Sequence, residues 1–427
     1  MRGIRNNGNT CYANVVLQSL ASLPEFVESL EQWRVIANEE LAPVASELLR
    51  VLQSLRQRGE TPVLPWAADL SVLLLLVRSS RLGQRFTAGD QHDALEFLQC
   101  LLALVDQEAA QVVAFRSPTG DFGPASLQLS LAIGTAGASR SPPLRRLPPP
   151  CPLSGLVSMQ LVCKHCGFAK PTRYDEFSHL SLPLKPDLQS SFSALFGSEE
   201  VPEVECPKCS ISAAVLRVKN RLDLAMSLAN MDGDDGDSCN GGRIEGMRRV
   251  HTLLNSSCRQ GETDTFCADV GDSAQLPLSL LDLNEPLIPE RRLMLKSTSL
   301  SRLPAMLCCH FVRMRGDGLK ARGRVAFPLK LSFASGPDGF SLLPEGRSRR
   351  NLDEGQTPGT TVLRYALHAA IQHHGSDLAG HYTAFGLCLG DRLAAEWAHF
   401  NDHRWAYAKA EQVSGADDVS MLIYARF

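Results

Sequence analysis

Two Cys-x-x-Cys pairs limit the folds open to this chain more than any other feature. Cys163-Lys164-His165-Cys166 and, about forty residues later, Cys206-Pro207-Lys208-Cys209 each aim two sulfurs from a tight turn at one point. Four thiolates so placed make a closed tetrahedral set, which suits a structural Zn2+ site and not a catalytic one. The segment between the pairs is longer than in a simple zinc ribbon, so a small β lobe must lie between the knuckles. Within it, Phe177–Leu184 alternates as a strand would. His165, inside the first knuckle, reads as an exposed residue and not a ligand. Four unmetallated thiols are the alternative reading.

The other cysteine that commands notice is Cys11, in Gly3-Ile4-Arg5-Asn6-Asn7-Gly8-Asn9-Thr10-Cys11-Tyr12-Ala13-Asn14. An apolar helical pattern follows over Val15–Leu23, with Val16, Leu20 and Leu23 at i, i+4 and i+7 and Pro24 as its stop. A thiol at a helix mouth feels the positive end of the helix dipole, which predicts a lowered pKa and a nucleophilic thiolate. The glycines and amides before it can turn backbone N–H groups and an Asn side chain toward one point, as an oxyanion hole requires. A small buried cysteine at a helix start is the competing reading.

Composition narrows the partners. A formal net charge of −3 over 427 residues gives no electrostatic case for nucleic acid. The 13 cysteines are an odd number, and no signal peptide precedes Cys11, which together predict a reducing, cytoplasmic setting with metal-binding and catalytic thiols. The longest apolar run, Val72–Val77, is far short of the ~20 residues a membrane span needs. Because the chain starts only ten residues before Cys11, an N-terminal extension is expected to be missing.

Taken in order, residues 1–117 read as helical. Leu41, Val44, Leu48, Val51 and Leu55 form one stripe. Trp66–Val77 reads as a largely buried helix, and Gln91–Val105 as another, with Ala94, Phe97, Leu98, Leu101, Leu102 and Val105 on one face. Asp93 and Glu96 lie at i and i+3 on its flank, which on spacing alone is a solvated acidic face. Residues 133–150 and 229–300 read as flexible insertions, the second with a short helix near Arg243–Leu254 and an acidic run, Asp232 to Asp237, lacking the terminal Glu of an EF-hand loop. The last third is strand-rich. Ala305–Val312 is nearly continuous in apolar residues, as a strand buried on both faces would be. Val325–Leu331, Leu363–Ile371, Tyr382–Cys388, Glu396–Phe400 and Val419–Ala425 follow. The predicted class is α+β.

Put together, these motifs resemble the ubiquitin-specific proteases, the papain-like deubiquitinating cysteine proteases. Gly3–Gln18 is similar to the family's cysteine box, and Gln91-His92-Asp93-Ala94-Leu95-Glu96-Phe97-Leu98 to its second helical box. The paired knuckles are similar to its zinc fingers, Leu303–Phe311 and Val325–Pro328 to palm strands, and Tyr365–Ile371 with Gly380-His381-Tyr382-Thr383-Ala384 to its histidine box. Leu95 departs from the histidine often found there, and Ala13 from a larger apolar residue. The knuckle and His373-His374-Gly375 are most similar to the member anchored on the mitochondrial outer membrane, although that member has a serine where this chain has Asn401.

The resemblance implies a single catalytic domain with a helical thumb (1–117), zinc-pinned β fingers (151–228) and a β-sheet palm (301–427). It implies hydrolysis of the isopeptide bond after ubiquitin's C-terminal glycine on ubiquitinated proteins. Cys11 would be the nucleophile, His381 the base, Asn401 the residue that orients the imidazole, and Asn6 an oxyanion donor. Asp402 is the runner-up to Asn401 for that job, or supports the oxyanion region indirectly. Asp93 and Glu96 would meet the arginines of ubiquitin's tail, Gly380 and Tyr382 would line the substrate's path, and Cys163, Cys166, Cys206 and Cys209 would hold a structural zinc. A catalytically silent ubiquitin-binding module and a protease for another ubiquitin-like modifier are the alternatives. A zinc-ribbon scaffold binding nucleic acid ranks last.

Overall fold

The computed structural model describes residues 2–36, 41–56, 69–116, 151–231, 288–313, 320–337, 339–344, 360–375, 380–389 and 395–427. Contacts divide the chain into two compact units: Met1–Val157 with Asp175–Phe196 and Ser299–Phe427, and Ser158–Tyr174 with Gly197–Thr298. The sequence groups residues 175–196 with the metal-binding lobe, but they cluster with the first unit.

Helices come first: α1 (Cys11–Ala21), α2 (Pro24–Ile36), α3 (Pro43–Arg56), α4 (Ser71–Ser79) and α5 (Ala94–Arg116). Next are β1 (Gly155–Cys163), β2 (Arg173–Phe177), β3 (Leu180–Pro183), α6 (Leu188–Leu195), β4 (Glu199–Glu205), α7 (Pro207–Met231) and β5 (Arg291–Arg302). The chain closes with β6 (Met306–Val312), β7 (Lys330–Gly336), β8 (Gly339–Leu342), β9 (Val362–Gly375), β10 (Gly380–Leu389), β11 (Ala395–Asn401), β12 (Arg404–Ala408), α8 (Ala410–Ser414) and β13 (Val419–Arg426). The class is α+β, as expected.

In the first unit α1 is buried along its whole length, so it is a core helix and not an amphipathic surface one. Its polar residues Asn14 and Gln18 bond Asp402 in the β11–β12 turn, and Ser22, just past its end, has its Oγ 3.4 Å from the His368 carbonyl of β9. The α3 stripe is buried at Val44, Leu48, Val51, Leu52 and Leu55. The Glu108 carboxylate caps α3, accepting from the N–H groups of Val44 (2.8 Å) and Ala45 (2.9 Å), donors that the helix cannot satisfy itself.

The sheet of this unit runs β12-β11-β10-β9-β7-β8. β13 pairs with both β9 and β6, and β3 lies parallel to β6 with Leu182 opposite Phe311. The last pairing is what draws β3 away from the metal-binding lobe. β6 behaves as its apolar run predicts. Met306 and Cys308 face the α1 core, while Leu307, Cys309 and Phe311 face a second core with Tyr365 and Tyr424.

Several expectations need correction. α4 starts at Ser71, and it is only half buried: Leu73, Leu74 and Val77 point inward, but Val72 is 50% and Leu75 66% exposed. A run of apolar letters does not show which of them find a partner. Trp66 lies outside the described residues. α5 begins three residues later than read, where the Asp93 side chain accepts from the Glu96 N–H and sets the start. Val325–Leu331 is not one strand: Ala326 forms an isolated bridge to Asp187, and β7 begins at Lys330.

The second unit contains the knuckles. The first knuckle is a turn closed by Cys163 N–H to Phe168 O (2.8 Å) and Gly167 N–H to Cys163 O (2.9 Å), with Gly167 at φ 70°. The second is not a free turn. It is the first turn of α7, with Pro207 at the opening position its fixed φ favours. β4 pairs with β5, Glu199 opposite Lys296 and Glu205 opposite Arg291. The insertion read as 229–300 is therefore shorter at both ends, since α7 reaches Met231 and β5 starts at Arg291. The charges at Arg291, Arg292 and Lys296 hid this strand, in which Lys296 Nζ stands 3.6 Å from Glu199 on β4. Residues 133–150, 232–237 and 243–254 lie outside the described residues.

Candidate active site

The site is assembled where the start of α1 meets the β10 and β11 ends. The segment before Cys11 is docked on the β11–β12 turn. Ile4 N–H donates to Asp402 O (3.0 Å), and a Cβ at Gly3 would fall 2.1 Å from the His403 carbonyl oxygen, so only glycine fits. Asn6 Oδ1 accepts from Thr10 N–H (3.0 Å), which turns the chain into the helix, while Asn6 Nδ2 donates to Asp402 Oδ2 (2.9 Å). Gly8 and Asn9 hold positive φ, 75° and 62°, and Asn9 Nδ2 donates to Gly89 O (2.7 Å).

Cys11 is the first residue of α1 and is 4% exposed. Its thiol pKa is raised, not lowered as the helix position predicts. Burial is the largest cause. The Asp402 carboxylate adds to it, and the N–H groups of Tyr382, Tyr12 and Cys11 itself only partly offset the two. Desolvation of a charged sulfur outweighs the helix-end effect here.

His381 is the second residue of β10. Its Nε2 lies 2.8 Å from Asn401 Oδ1 and 3.9 Å from Asp402 Oδ2. The amide oxygen of Asn401 can only accept, so the hydrogen on the ring sits on Nε2, and Nδ1 keeps a free lone pair. Asp402 is the anchor of the ensemble. It is 7% exposed and lies in the two-residue turn between Asn401 and Arg404, at φ 54°. Its carboxylate accepts from Asn6 and from Asn14 Nδ2 (2.7 Å), and its carbonyl from Ile4 N–H and Gln18 Nε2 (3.0 Å). The structure thus brings Asn6, Asn401, Asp402 and His381 together around the start of α1.

The residues assigned to the substrate path are disposed differently. Asp93 spends one carboxylate oxygen capping α5 and offers the other to Tyr382 OH (3.2 Å). Glu96 is exposed and stands 3.6 Å from Arg85, a surface pairing that a competing cation can displace. Tyr382 is 6% exposed. Its ring stacks on His373 with centroids 4.3 Å apart, so its side chain is packed and closed to a substrate. His374 Nε2 lies 3.0 Å from Thr383 Oγ1. Sequence reasoning missed Asn14, Gln18 and Gln91; the signal for the first two was a pair of amides four residues apart in an otherwise apolar helix.

In the second unit, Cys163, Cys166, Cys206 and Cys209 place their sulfurs within 4.8 Å of one another. Cys163 and Cys209 are separated by 3.8 Å, and Cys166 and Cys206 by 3.5 Å. Sulfurs about 2.3 Å from a tetrahedral Zn2+ stand about 3.8 Å apart, so the set can hold a metal ion. Cys206 N–H donates to Glu290 O (2.9 Å) and Lys164 N–H to Leu293 O (3.1 Å), tying both knuckles to the β5 region. His165 is exposed, as read, yet its Nδ1 comes within 3.5 Å of Cys209 Sγ.

A thiol at a helix start and an imidazole held by an amide define a candidate thiol-hydrolase site. The family model for ubiquitin carboxyl-terminal hydrolase matches residues 2–424, and the chain belongs to that family. Ubiquitin carboxyl-terminal hydrolase 30 of Danio rerio is 27% identical over 233 residues, covering 49% of this chain and 45% of that protein. Ubiquitin carboxyl-terminal hydrolase 37 of Homo sapiens is 30% identical over 243 residues, 53% of this chain and 23% of the relative. The chain thus spans less than half the length of these relatives. The SAGA Ubp8/Sgf11/Sus1/Sgf73 DUB module bound to ubiquitin aldehyde shares the fold, with a TM-score of 0.59 at 16% identity over 100% of this chain and 70% of that one.

Proposed function

We propose that the protein is a thiol-dependent deubiquitinating enzyme, with Cys11, His381 and Asn401 as its catalytic set. The observation that carries this reading is the 2.8 Å contact between His381 Nε2 and Asn401 Oδ1, which leaves Nδ1 as the base. The Cys11 sulfur attacks the carbonyl carbon of ubiquitin's last glycine as Nδ1 takes the thiol proton. The oxyanion is met by the Cys11 N–H and the amide hydrogen of Asn6 not engaged by Asp402. The imidazolium then protonates the departing lysine amine, leaving a thioester that water hydrolyses. With its pKa raised by burial, Cys11 depends on His381 for ionisation when substrate is bound.

In the same reading Asp93 and Glu96 present negative charge to ubiquitin's arginine-bearing tail, and Gly380 and the Tyr382 backbone flank its glycines. The four knuckle cysteines hold a structural Zn2+, which pins the finger lobe when bound. The thumb and palm follow 1–117 and 301–427, and the fingers follow 151–228 less the 175–196 segment that clusters with the first unit. The two Cys-x-x-Cys pairs and the thiol at the start of α1 fit a reducing, cytoplasmic setting. No described helix is long and apolar enough to cross a membrane. Steady-state cleavage of a fluorogenic C-terminal ubiquitin amide, beside Cys11→Ala and His381→Ala, tests the proposal. Turnover lost in both variants supports it; ubiquitin binding without turnover by the parent points instead to a silent module.

A further inference from the structure

We propose that Gln91 is a positioning residue for His381, acting through Gly380; the inference rests on the catalytic reading above. The Gln91 carboxamide engages both backbone polar groups of Gly380. Its Nε2 donates to the Gly380 carbonyl at 3.2 Å, and its Oε1 accepts from the Gly380 N–H at 2.9 Å. A side chain that reads one residue's donor and acceptor at once holds the peptide planes on both sides of its Cα, including the one that leads into His381.

Gly380 cannot move away from this grip. A Cβ there would lie 2.1 Å from His373 Nε2 and 2.9 Å from the His374 carbonyl, so the backbone is pressed against β9 on its other side. The His373 ring is itself held, stacked on Tyr382 and with Lys320 Nζ 3.0 Å from its Nδ1. On the far side of His381, Tyr382 OH donates to Asp93 Oδ2 at 3.2 Å and accepts from the Ala94 N–H at 3.5 Å. Residues 91–94 therefore bracket the imidazole-bearing residue, with Gln91 on the peptide before it and Asp93 on the residue after it. Only His381 itself is left to turn, and its Nε2 is held by Asn401. The direction of Nδ1 then follows from backbone that Gln91 holds in place.

The test uses the full chain with Gln91→Met, which keeps the length but loses both bonds, and Gln91→Glu, which keeps the acceptor and loses the donor. One readout does not require turnover: the 13C ring resonance of His381, assigned by its loss in His381→Ala. The expected result is a shifted or broadened His381 signal in Gln91→Met, an intermediate one in Gln91→Glu, and an unchanged His368 signal. With a ubiquitin amide substrate, kcat falls on the order of 10- to 100-fold in Gln91→Met with KM little changed. A His381 resonance that superposes on the parent's overturns the proposal, as does a loss confined to KM. A parent that does not cleave the substrate sinks the catalytic reading instead, and the resonance still decides the clamp.

Discussion

Asn14 and Asp402 stand 388 positions apart in sequence and 2.7 Å apart in space, amide nitrogen to carboxylate oxygen. The contact joins the first turn of α1, the helix that opens on Cys11, to the turn that follows Asn401. Asn6 completes the joint from the other oxygen of the same carboxylate.

Asp402→Ala leaves two amide donors without a buried acceptor and is expected to cost about 3 kcal/mol. The bonds to the Asp402 carbonyl survive the change, so the turn itself should persist. Asp402→Asn keeps one acceptor oxygen and should lie between parent and alanine variant. Urea unfolding midpoints measured at constant slope decide this; an alanine variant as stable as the parent would sink the anchoring role.

Asn401 should be felt in kcat, not in stability. Asn401→Ala frees the imidazole to adopt the wrong tautomer and orientation, and a fall in kcat on the order of 100-fold is expected. Asn401→Asp retains an acceptor oxygen at the same distance and should recover much of the rate. Equal loss in both variants would point to packing instead.

The motifs fixed by local chemistry were readable from letters alone. Cys11 at a helix mouth and two cysteine pairs at metal spacing needed no knowledge of the fold, whereas His381 came from the resemblance to the family's histidine box. What depends on distant burial was not. The helix dipole suggested an acidic thiol, but the helix is buried along its whole length and desolvation wins. Val72 and Leu75 read as core because sequence shows hydrophobicity and not whether a neighbour arrives. β5 read as part of an insertion because Arg291, Arg292 and Lys296 break its apolar pattern and its partner strand β4 comes from far back in the chain. Indirect support of the oxyanion region by Asp402 was legible, but its bonds to Asn14 and Gln18 were not, because those partners come from the opposite end of the chain.

The raised Cys11 pKa has a kinetic consequence. The thiolate fraction of the free protein stays small near neutral pH and grows as pH climbs through and beyond 9.0, the thiol's ordinary value. Alkylation of Cys11 by iodoacetamide, counted by peptide mass and compared with Cys11→Ser, should therefore rise steadily across that window. A plateau reached below pH 7 would show a preformed thiolate–imidazolium pair and contradict this.

Glu108 offers a stability test in the helical part. Burial raises its pKa, against the two N–H groups it accepts from at the start of α3. A folded pKa above the unfolded value means that the native state binds the proton more tightly. The contribution is thus complete below pH 4.5 and declines as pH rises through the folded pKa. Glu108→Ala orphans the Val44 and Ala45 donors and should cost about 2 kcal/mol. The loss should be larger at pH 4 than at pH 8, and unfolding curves at the two pH values read the difference.

Removal of the knuckle metal is expected to unfold the second unit selectively. The hydrophobic cluster around the knuckles consists of Cys163, Cys206, Cys209 and Met294 with a few partly buried neighbours, too little apolar surface to hold β4, β5 and the start of α7 without a metal. Metal binding here is folding free energy. The protein should carry about one Zn2+ per chain by elemental mass spectrometry. Chelation, or Cys206→Ser, should raise amide exchange over residues 158–174 and 197–213 while α1, β9 and β13 keep their protection. Uniform loss of protection would mean that the metal supports the whole chain. Unchanged exchange after complete metal removal would mean that the four thiols hold the lobe by packing alone.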